Sequence, residues 1–255
     1  MLLHPTIAFN KSGVCLGVLD NKSFIRDELQ GKKARSIAKA IEEKESIRWI
    51  ESYRLTNKIA GNYKDKLFIN IADREGDFYE FLSEYKLGES AAHIIVRAKS
   101  DRLLSGNEPD ETRKLFGYLR QQRASSKVIF QLCAIDKKRK DRTVVQTIKF
   151  CRIKLDPPRK VKKLNELGFL EINAILCTEE NPPQGEMPVE WLLFTTLDID
   201  KDSTVLEIVK YYQLRWQIEI YFKILKSGCK IEELQLENIA RLKNAISIDL
   251  LHNLI

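Results

Sequence analysis

The sequence predicts an α/β fold in which a large β-stranded block interrupts a frame of strands and helices. Strand and helix patterns alternate up to about residue 90, strand patterns dominate from about residue 91 to 197, and helical spacing then resumes. The chain has 255 residues, 44% of them hydrophobic. It is therefore long and apolar enough to bury a core in one large domain or in a domain with an insertion.

The first 90 residues contain a predicted hairpin, a helix, a strand and a second helix. The strand-like runs PTIAFN and VCLGVLD flank the turn residues KSG, which predicts the hairpin. The spacing of Ile, Trp and Leu in residues 36–60 predicts the first helix. The run KLFINIAD is typical of a buried strand that ends in an acid, and residues 77–86 predict the helix that covers it.

The middle of the chain contains five strand-like runs separated by polar turns or turns with Gly or Pro. They are AHIIVRAK, SKVIFQLCAI, TVVQTIKF, EINAILC and VEWLLFTTL. Residues 200–212 and 211–228 then show helical spacing, which stops at KSGCK. Residues 231–255 predict the start of another amphipathic helix.

Composition indicates a folded, soluble protein of a reducing compartment. The sequence has no run of about 18 uninterrupted apolar residues, and its start, MLLHPTIAFN, lacks the regions of a signal peptide. We therefore expect a cytoplasmic protein. The five cysteines are scattered, odd in number and free of CxxC spacing, which indicates neither a disulfide framework nor a zinc site.

The formal net charge of +7 is concentrated in residues 137–163. This segment carries twelve Lys or Arg against two Asp, so the rest of the chain has a small net negative charge. Clustered cations bind polyanions because neutralised phosphates release counterions, which gives an affinity that depends on salt and not on sequence. The segment predicts a DNA-binding surface, and a pair of solvated basic loops flanking a strand is the alternative.

The helical stretch 211–228 combines an apolar face with a stripe of charged and aromatic side chains. At about 100° per residue, four side chains fall in one arc of roughly 60° beside the apolar face, with Lys223 at its margin. The four are Tyr212, Arg215, Glu219 and Lys226. One interpretation is a functional site in which a lone acid lies among cations. The other is a set of i to i+4 ion pairs that add about 0.2–0.5 kcal/mol each to an exposed helix.

Asp73 lies at the C-terminal end of the predicted strand KLFINIAD, where open α/β sheets place their ligands. A carboxylate there and a second one on a helix packed alongside, Glu219, would supply the hard oxygen ligands that Mg²⁺ prefers. Such a site suits phosphoryl transfer on DNA, since metal ions activate the attacking oxygen and stabilise the leaving one. The alternative for Asp73 is a strand-end residue that caps the following turn.

The order and spacing of these residues resemble a known family. Tyr212, Arg215, Glu219 and Lys226 match the Tyr-Arg-Glu-Lys signature of bacterial DDE transposases of the insertion-sequence-4 family. Other segments that agree in order and spacing are LLHPT, EEKES, IADREGD, VRAKS and NPPQGEMPVEWLLFTTL. The resemblance covers nearly the whole chain, and it implies a ribonuclease-H-like core interrupted by a large β-stranded insertion.

The resemblance implies a division of the chain into four parts. Residues 1–90 would form the first part of the ribonuclease-H-like core, and residues 91–190 the β-rich insertion domain. Residues 191–228 would form the second part of the core with the Glu-bearing helix. Residues 229–255 would start a C-terminal helical region.

The resemblance also implies a role for each matching residue. Asp73 would be the second acid of the DDE triad and Glu219 the third, each binding Mg²⁺ or Mn²⁺. The implied contacts with DNA phosphates are those of Tyr212, Arg215, Lys223, Lys226, Arg97 and Lys99. Trp191, at the head of WLLFTT, would be the aromatic residue on which a base flipped out of the DNA stacks. The alternative for Trp191 is a half-buried tryptophan of a strand.

The sequence departs from the family pattern near both of its ends. In the family, the first catalytic Asp lies on a strand upstream of the segment that resembles LLHPT, and we expect that strand to be missing here. Asp20, at the end of the run VCLGVLD, is the nearby acid considered as a substitute for that Asp, but its position matches a non-catalytic site of the family. The family pairs two transposases through a C-terminal helical region, most of which we also expect to be missing. The resemblance therefore predicts a copy truncated at both ends.

Two functions of different classes follow from these observations. The first is a metal-dependent transposase, which nicks DNA with an activated water and transfers the freed 3′-OH end to a partner strand or target. The second is a catalytically inactive remnant that at most binds DNA non-specifically through residues 137–163. A nuclease that is not a transposase would leave the combination of Trp191 and Tyr212 unexplained.

Overall fold

The structure is a computed structural model of the chain in two compact units. It describes residues 2–24, 41–104, 114–132, 141–158 and 166–234, together with residues 238, 241, 244 and 245. Unit 1 comprises residues 1–52 and 211–255, and unit 2 comprises residues 53–210.

Eight strands and five α-helices are present in the part of the chain that the structure describes. The strands are β1 (Leu2–Phe9), β2 (Cys15–Phe24), β3 (Phe68–Ala72), β4 (Ala92–Arg97), β5 (Ala124–Leu132), β6 (Arg142–Leu155), β7 (Leu170–Glu179) and β8 (Glu190–Thr195). The helices are α1 (Ile47–Ala60), α2 (Tyr79–Ser83), α3 (Leu115–Gln121), α4 (Asp202–Gln213) and α5 (Gln217–Ser227). None of the helices in the described ranges is long and apolar enough to cross a membrane.

Unit 2 is built on one six-stranded mixed sheet with the strand order β3-β4-β8-β7-β6-β5. β3 and β4 are parallel, and every other neighbouring pair is antiparallel. This mixed sheet with its helices confirms the predicted α/β class. Each of the eight predicted strand runs falls on one strand, although the last three residues of SKVIFQLCAI lie outside the described residues. The ribonuclease-H-like arrangement and the four-part division of the chain stay predictions.

The central strands of this sheet are buried on both faces. Ile94, Ile95 and Val96 of β4 are fully buried, as is the Leu193–Thr195 stretch of β8. Continuous apolar runs of this kind are typical of strands that have no solvent face, because alternate side chains point to opposite sides of the sheet. On one side, α3 packs against β6 and β7 and buries Leu115 and Leu119 completely.

The C-terminal half of α1 is attached to the start of β4 by side chains that satisfy backbone groups. The Tyr53 hydroxyl donates to the Ala92 carbonyl at 2.9 Å. The Asn57 Oδ1 accepts from the backbone N–H groups of Ala91 and Ala92 at 2.8 and 3.0 Å. These bonds hold α1 beside the parallel pair β3–β4, and they satisfy backbone groups of Ala91 and Ala92, where β4 begins.

In unit 1 the hairpin β1–β2 packs one of its faces against α5. Leu3 and Ile7 of β1 contact the cluster formed by the buried residues Tyr221 and Leu225 of α5. Burial raises the pKa of Tyr221 to about 12. The turn of the hairpin is made by Gly13, whose φ of +82° is a conformation that only glycine adopts freely. The predicted hairpin is therefore confirmed.

The other face of the hairpin contacts the N-terminal half of α1. The Thr6 hydroxyl donates to the Ser52 hydroxyl at 2.9 Å, and the rings of His4 and Trp49 meet edge to face with their centroids 4.5 Å apart. Side chains alternate along a strand, which explains why Leu3 and Ile7 contact α5 whereas His4 and Thr6 contact α1. The predicted helix over residues 36–60 begins as an α-helix only at Ile47, and its residues 36–40 lie outside the described residues.

Two of the predicted helices at the C-terminal end were wrong in their extent. The single helix over residues 211–228 is interrupted by a 3₁₀ turn at Leu214–Trp216, which separates α4 from α5. No Gly or Pro lies at this turn, so the sequence has no breaker to reveal it. The helix predicted from residue 231 does not begin there, because Lys230 has a φ of +52° and residues 231 and 232 form a turn. Most residues after 234 lie outside the described residues.

The four described cysteines, Cys15, Cys151, Cys177 and Cys229, are free thiols. Burial raises the pKa of both Cys151 and Cys177 to about 12. A thiol with such a pKa remains protonated at neutral pH and is a poor nucleophile. These two residues therefore belong to the apolar interior of the sheet and not to a reactive site.

The turn after β3 has room only for glycine at residue 76. A Cβ added there would lie 2.6 Å from the Ala72 Cβ and 3.3 Å from the Val96 Cγ2. We expect Gly76→Ala to lower the free energy of unfolding by about 1–3 kcal/mol, because the backbone must shift to relieve the overlap. Urea unfolding measures the change. Gly88→Ala is the matched control, since no atom lies within 4 Å of its added Cβ, and equal midpoints for the two variants would contradict the prediction.

Candidate metal and nucleic-acid site

Asp73 follows the last residue of β3 and caps the next turn. Its Oδ1 accepts from the backbone N–H of Glu75 at 2.8 Å, which begins the 3₁₀ turn Arg74–Gly76. The capping role considered for Asp73 is therefore present. It uses only one carboxylate oxygen, and the Oδ2 of this half-buried residue has no hydrogen-bond partner among the described residues. Capping fixes the direction of the carboxylate and leaves an oxygen available for a ligand.

Asp77 holds the turn after β3 against the loop after β4, a role that the sequence analysis missed. Its side chain is 0% exposed, and its Oδ2 accepts from the Lys99 backbone N–H at 2.6 Å. The Oδ1 forms an ion pair with the Arg102 guanidinium, which also donates to the Asp77 carbonyl at 3.1 Å. The last acid of the motif IADREGD was the available signal, but its partner lies 25 residues away.

Arg97 and Lys99, both predicted to contact DNA, lie at and just after the end of β4. The Arg97 guanidinium donates to the Glu190 carbonyl at 3.0 Å, so it is partly engaged within unit 2. The Lys99 residue is exposed, and its backbone is the part held by Asp77. β3 and β4 are parallel, so their C-terminal ends meet at one edge of the sheet. The structure therefore brings Asp73, Arg97 and Lys99 to the same edge.

Trp191 lies on β8 and stacks on an aromatic side chain of the same unit. Its ring and that of Phe130 are 5.3 Å apart at their centroids, with 19° between their planes. The residue before it is held from two sides: Arg97 donates to the Glu190 carbonyl, and Arg120 pairs with the Glu190 carboxylate at 3.2 Å. Trp191 is half-buried, as the alternative reading of a strand tryptophan requires. Its contact with a DNA base stays a prediction.

Glu219 lies on the exposed side of α5 in unit 1, with its side chain 48% exposed. Its Oε1 accepts from the Arg215 Nη1 at 3.0 Å, an i to i+4 ion pair of the kind considered as the alternative. The Oε2 has no hydrogen-bond partner among the described residues. Lys223 and Lys226 are exposed on the same helix, and the Lys226 ammonium pairs with Glu232 at 2.8 Å.

Tyr212 does not share the exposure of the charged side chains with which it was grouped. It is 4% exposed, whereas Lys223 and Lys226 are exposed. The 3₁₀ turn between α4 and α5 changes the angular relation of residues before and after it, because a 3₁₀ helix has three residues per turn and not 3.6. Tyr212 therefore lies in the interior, and its contact with a DNA phosphate stays a prediction.

Asp20, the early acid considered as a substitute for the family's first Asp, lies on β2 in unit 1. Lys22 lies 3.4 Å from the Asp20 carboxylate and 2.8 Å from that of Glu51. The hydrogen bond to Glu51, helped by the charge of Asp20, raises the pKa of Lys22. Asp20 is thus one acid of a half-buried ion-pair cluster formed by β2 and α1.

The basic segment 137–163 is described only over residues 141–158. The described cations are Arg142, Lys149, Arg152 and Lys154. Arg142 binds the buried Glu179 through two nitrogens at 3.0 Å and also pairs with Glu186. Arg152 and Lys154 both lie 3.5 Å from Glu171. A polyanion that bound here would have to exchange these intramolecular partners, and the remaining cations of the segment lie outside the described residues.

The donor groups at Asp73 and Glu219 suit a hard divalent cation. Each carboxylate has one oxygen held by an N–H donor and one oxygen without a partner among the described residues. Mg²⁺ is commonly bound through one or two such carboxylates together with water and substrate phosphates. Within the described ranges, no group of three or more His, Cys, Asp or Glu side chains lies close enough together to hold a metal ion.

Comparison with known proteins gives a family match over most of the chain. Residues 25–251 match the model of a family described as the transposase DDE domain. The matched range contains Asp73, Glu219 and all the residues predicted to contact DNA. Proteins of this family act on DNA and generally use divalent metal ions.

We expect Asp77→Asn to lower the free energy of unfolding by about 3 kcal/mol, because it leaves the guanidinium of Arg102 without its buried counter-charge. Thermal or urea unfolding measures the change. Asp65→Asn is the matched control, since its ion pair with Lys66 lies in solvent and should leave stability close to that of the wild type. An Asp77 variant as stable as the Asp65 variant would show that the buried pair does not hold the two loops together.

Proposed function

The chain belongs to the transposase DDE domain family, and from this premise we propose that Asp73 and Glu219 each supply a carboxylate ligand for Mg²⁺ or Mn²⁺ in the cleavage of DNA. The observation that carries the proposal is the family match over residues 25–251, which includes both acids. The Tyr-Arg-Glu-Lys spacing from residue 212 to 226 supports membership of the insertion-sequence-4 group within that family. The reaction is strand cleavage followed by transfer of the 3′-OH end.

The proposed roles of the two acids follow from how each carboxylate is held. The Glu75 N–H fixes one oxygen of Asp73, and the Arg215 guanidinium fixes one oxygen of Glu219. Because one oxygen is held in this way, the second oxygen of each carboxylate would bind a cation without a change in the side-chain conformation. When bound, the divalent metal supplies activation of the attacking oxygen and stabilisation of the leaving oxygen.

Cationic side chains near each acid would position the DNA. Arg215, Lys223 and Lys226 lie on the same helix as Glu219, or in the turn before it, and would bind phosphates on either side of the scissile bond. Lys226 would exchange its ion pair with Glu232 for a phosphate oxygen, which costs little because the pair is exposed. Arg97 and Lys99 lie at the same edge of the sheet as Asp73 and would bind DNA phosphates there.

Trp191 would stack on a base that leaves the double helix near the cut. Stacking on an indole is worth about 1–3 kcal/mol per base and does not depend on the identity of the base. It would offset part of the energy needed to unstack the nucleotide. The first acid of the family's triad is not assigned to a residue of this sequence. The alternative function, a DNA-binding protein without cleavage, is distinguished by the next experiment.

We expect the purified chain to nick supercoiled duplex DNA in Mg²⁺ and to lose at least about a hundredfold of that rate in Glu219→Ala, because a metal ligand is removed. Conversion of supercoiled to open-circular DNA measures the rate, with EDTA as the metal-free reference. Glu233→Ala is the matched control, since this acid is also exposed and forms an ion pair, in its case with Lys230. The same background rate in all three proteins would favour the non-cleaving alternative.

We expect the affinity for duplex DNA of arbitrary sequence to fall steeply between about 50 and 200 mM salt, because phosphate contacts release counterions. Lys226→Ala should reduce the slope of log K against log salt by about 1, the contribution of one phosphate contact. Fluorescence anisotropy at several salt concentrations gives both slopes. Lys230→Ala, which removes a comparable exposed and paired lysine, should leave the slope unchanged. If log K against log salt has the same slope in the two variants, Lys226 does not contact a DNA phosphate.

A further inference from the structure

Gln146 is a buried side chain that neither the proposed reaction nor the packing of the sheet explains. It lies in β6 and is 0% exposed. Its Nε2 donates to the Val189 carbonyl at 2.8 Å, whereas its Oε1 has no hydrogen-bond partner among the described residues. The reverse orientation of the amide would bring two acceptors together, so the Oε1 is the group left without a partner. An unsatisfied buried acceptor costs about 1–3 kcal/mol, which calls for a reason.

The register of the sheet places Gln146 beneath the Phe130–Trp191 stack. Phe130 lies opposite Val144, and Val128 lies opposite Gln146, so β5 and β6 present these residues on one face. Trp191 of β8 pairs with Cys177 of β7, and Cys177 pairs with Ile148 of β6. Trp191 and Ile148 therefore lie in one row and on one face of the sheet. The two rings thus meet across the intervening strands β6 and β7.

The three β6 residues below the stack form a closed floor. They are Val144, Gln146 and Ile148, and each is 0% exposed. The amide of Gln146 bonds the carbonyl of Val189, which directly precedes β8 and lies two positions before Trp191. The acceptor without a partner therefore lies in the row between those of Phe130 and Trp191, where its neighbour on β7 is Glu179, a buried acid neutralised by Arg142. A flat group that lay against Trp191 in place of Phe130 would have its edge close to this acceptor.

We infer that Gln146 reads the edge of the base that stacks on Trp191, and that Phe130 occupies the place of that base in the free protein. The inference rests on the proposed stacking role of Trp191. Phe130 is half-buried and belongs to β5, the last strand in the sheet order, so it can turn outward without breaking the central core. The incoming base replaces one planar stacking partner by another, and the Oε1 of Gln146 gains the donor that it lacks.

The chemistry of the acceptor selects the kind of base. A carbonyl oxygen accepts from an exocyclic amino group, which adenine, cytosine and guanine present and which thymine and unsubstituted purine lack. A base without this donor would stack equally well but would leave the Oε1 unsatisfied. Gln146 therefore adds selectivity to a stacking contact that has none of its own.

The test compares binding of the full chain to two duplexes that differ only in one unpaired nucleotide, adenine or purine, with fully paired duplex as the reference. We expect the wild type to bind the adenine duplex about fivefold more tightly than the purine duplex, the effect of one net hydrogen bond. Gln146→Leu should bind the two equally. Gln131→Leu is the matched control, because Gln131 is exposed on β5 and bonds Thr143 on the opposite face, and it should keep the preference.

Two further measurements separate failure of this inference from failure of the proposed function. Urea unfolding should show that Gln146→Leu is at least as stable as the wild type, since it removes an unsatisfied acceptor. Trp191→Ala should bind the duplexes with an unpaired adenine or purine no more tightly than it binds the fully paired duplex. If that preference survives in Trp191→Ala, the stacking role itself fails. Suppose instead that Trp191→Ala loses the preference. The role of Gln146 alone is then overturned if the wild type binds the adenine and purine duplexes equally, or if Gln146→Leu still prefers adenine.

Discussion

The buried carboxylate of Asp77 is the interaction on which the candidate site in unit 2 depends. It joins the turn after β3 to the loop after β4 by binding the Lys99 backbone and the Arg102 guanidinium. The two strands are parallel, so this bond fixes neighbouring loops at one edge of the sheet. A charge removed from water is stable only with its partner in place, which makes the joint rigid. Asp73, the proposed metal ligand, directly follows β3 in the turn that this joint holds.

The sequence was sufficient for the elements that depend on local periodicity. Runs of β-branched and aromatic residues correctly indicated the eight strands, because such runs fit a buried sheet whatever their partners are. The hairpin could be predicted because turn residues between Asn10 and Gly13 separate two strand-like runs. Both readings of Asp73, a cap and an available carboxylate, agree with its geometry, and the ion pair of Glu219 with Arg215 follows from their spacing on one helix.

The contacts that shape the candidate site were beyond such reasoning because they join residues distant in sequence. Asp77 meets Arg102 across a strand connection, and Phe130 meets Trp191 across two intervening strands. The burial of Tyr212 could not be foreseen either, since the 3₁₀ turn that follows α4 contains no residue that breaks a helix. Tertiary packing decides such features, and periodicity within one segment does not report on it.

The position of β3 at the end of the strand order has a consequence for handling the protein. Among the described residues its outer side has no strand beside it, and its sequence, FINIA, contains no charge and no proline. Natural proteins discourage intermolecular strand pairing by placing charges, prolines or bulges on edge strands. β3 contains neither a charge nor a proline. Concentrated samples should therefore associate edge to edge through this strand, and a lysine introduced at Ile69 should keep them dispersed.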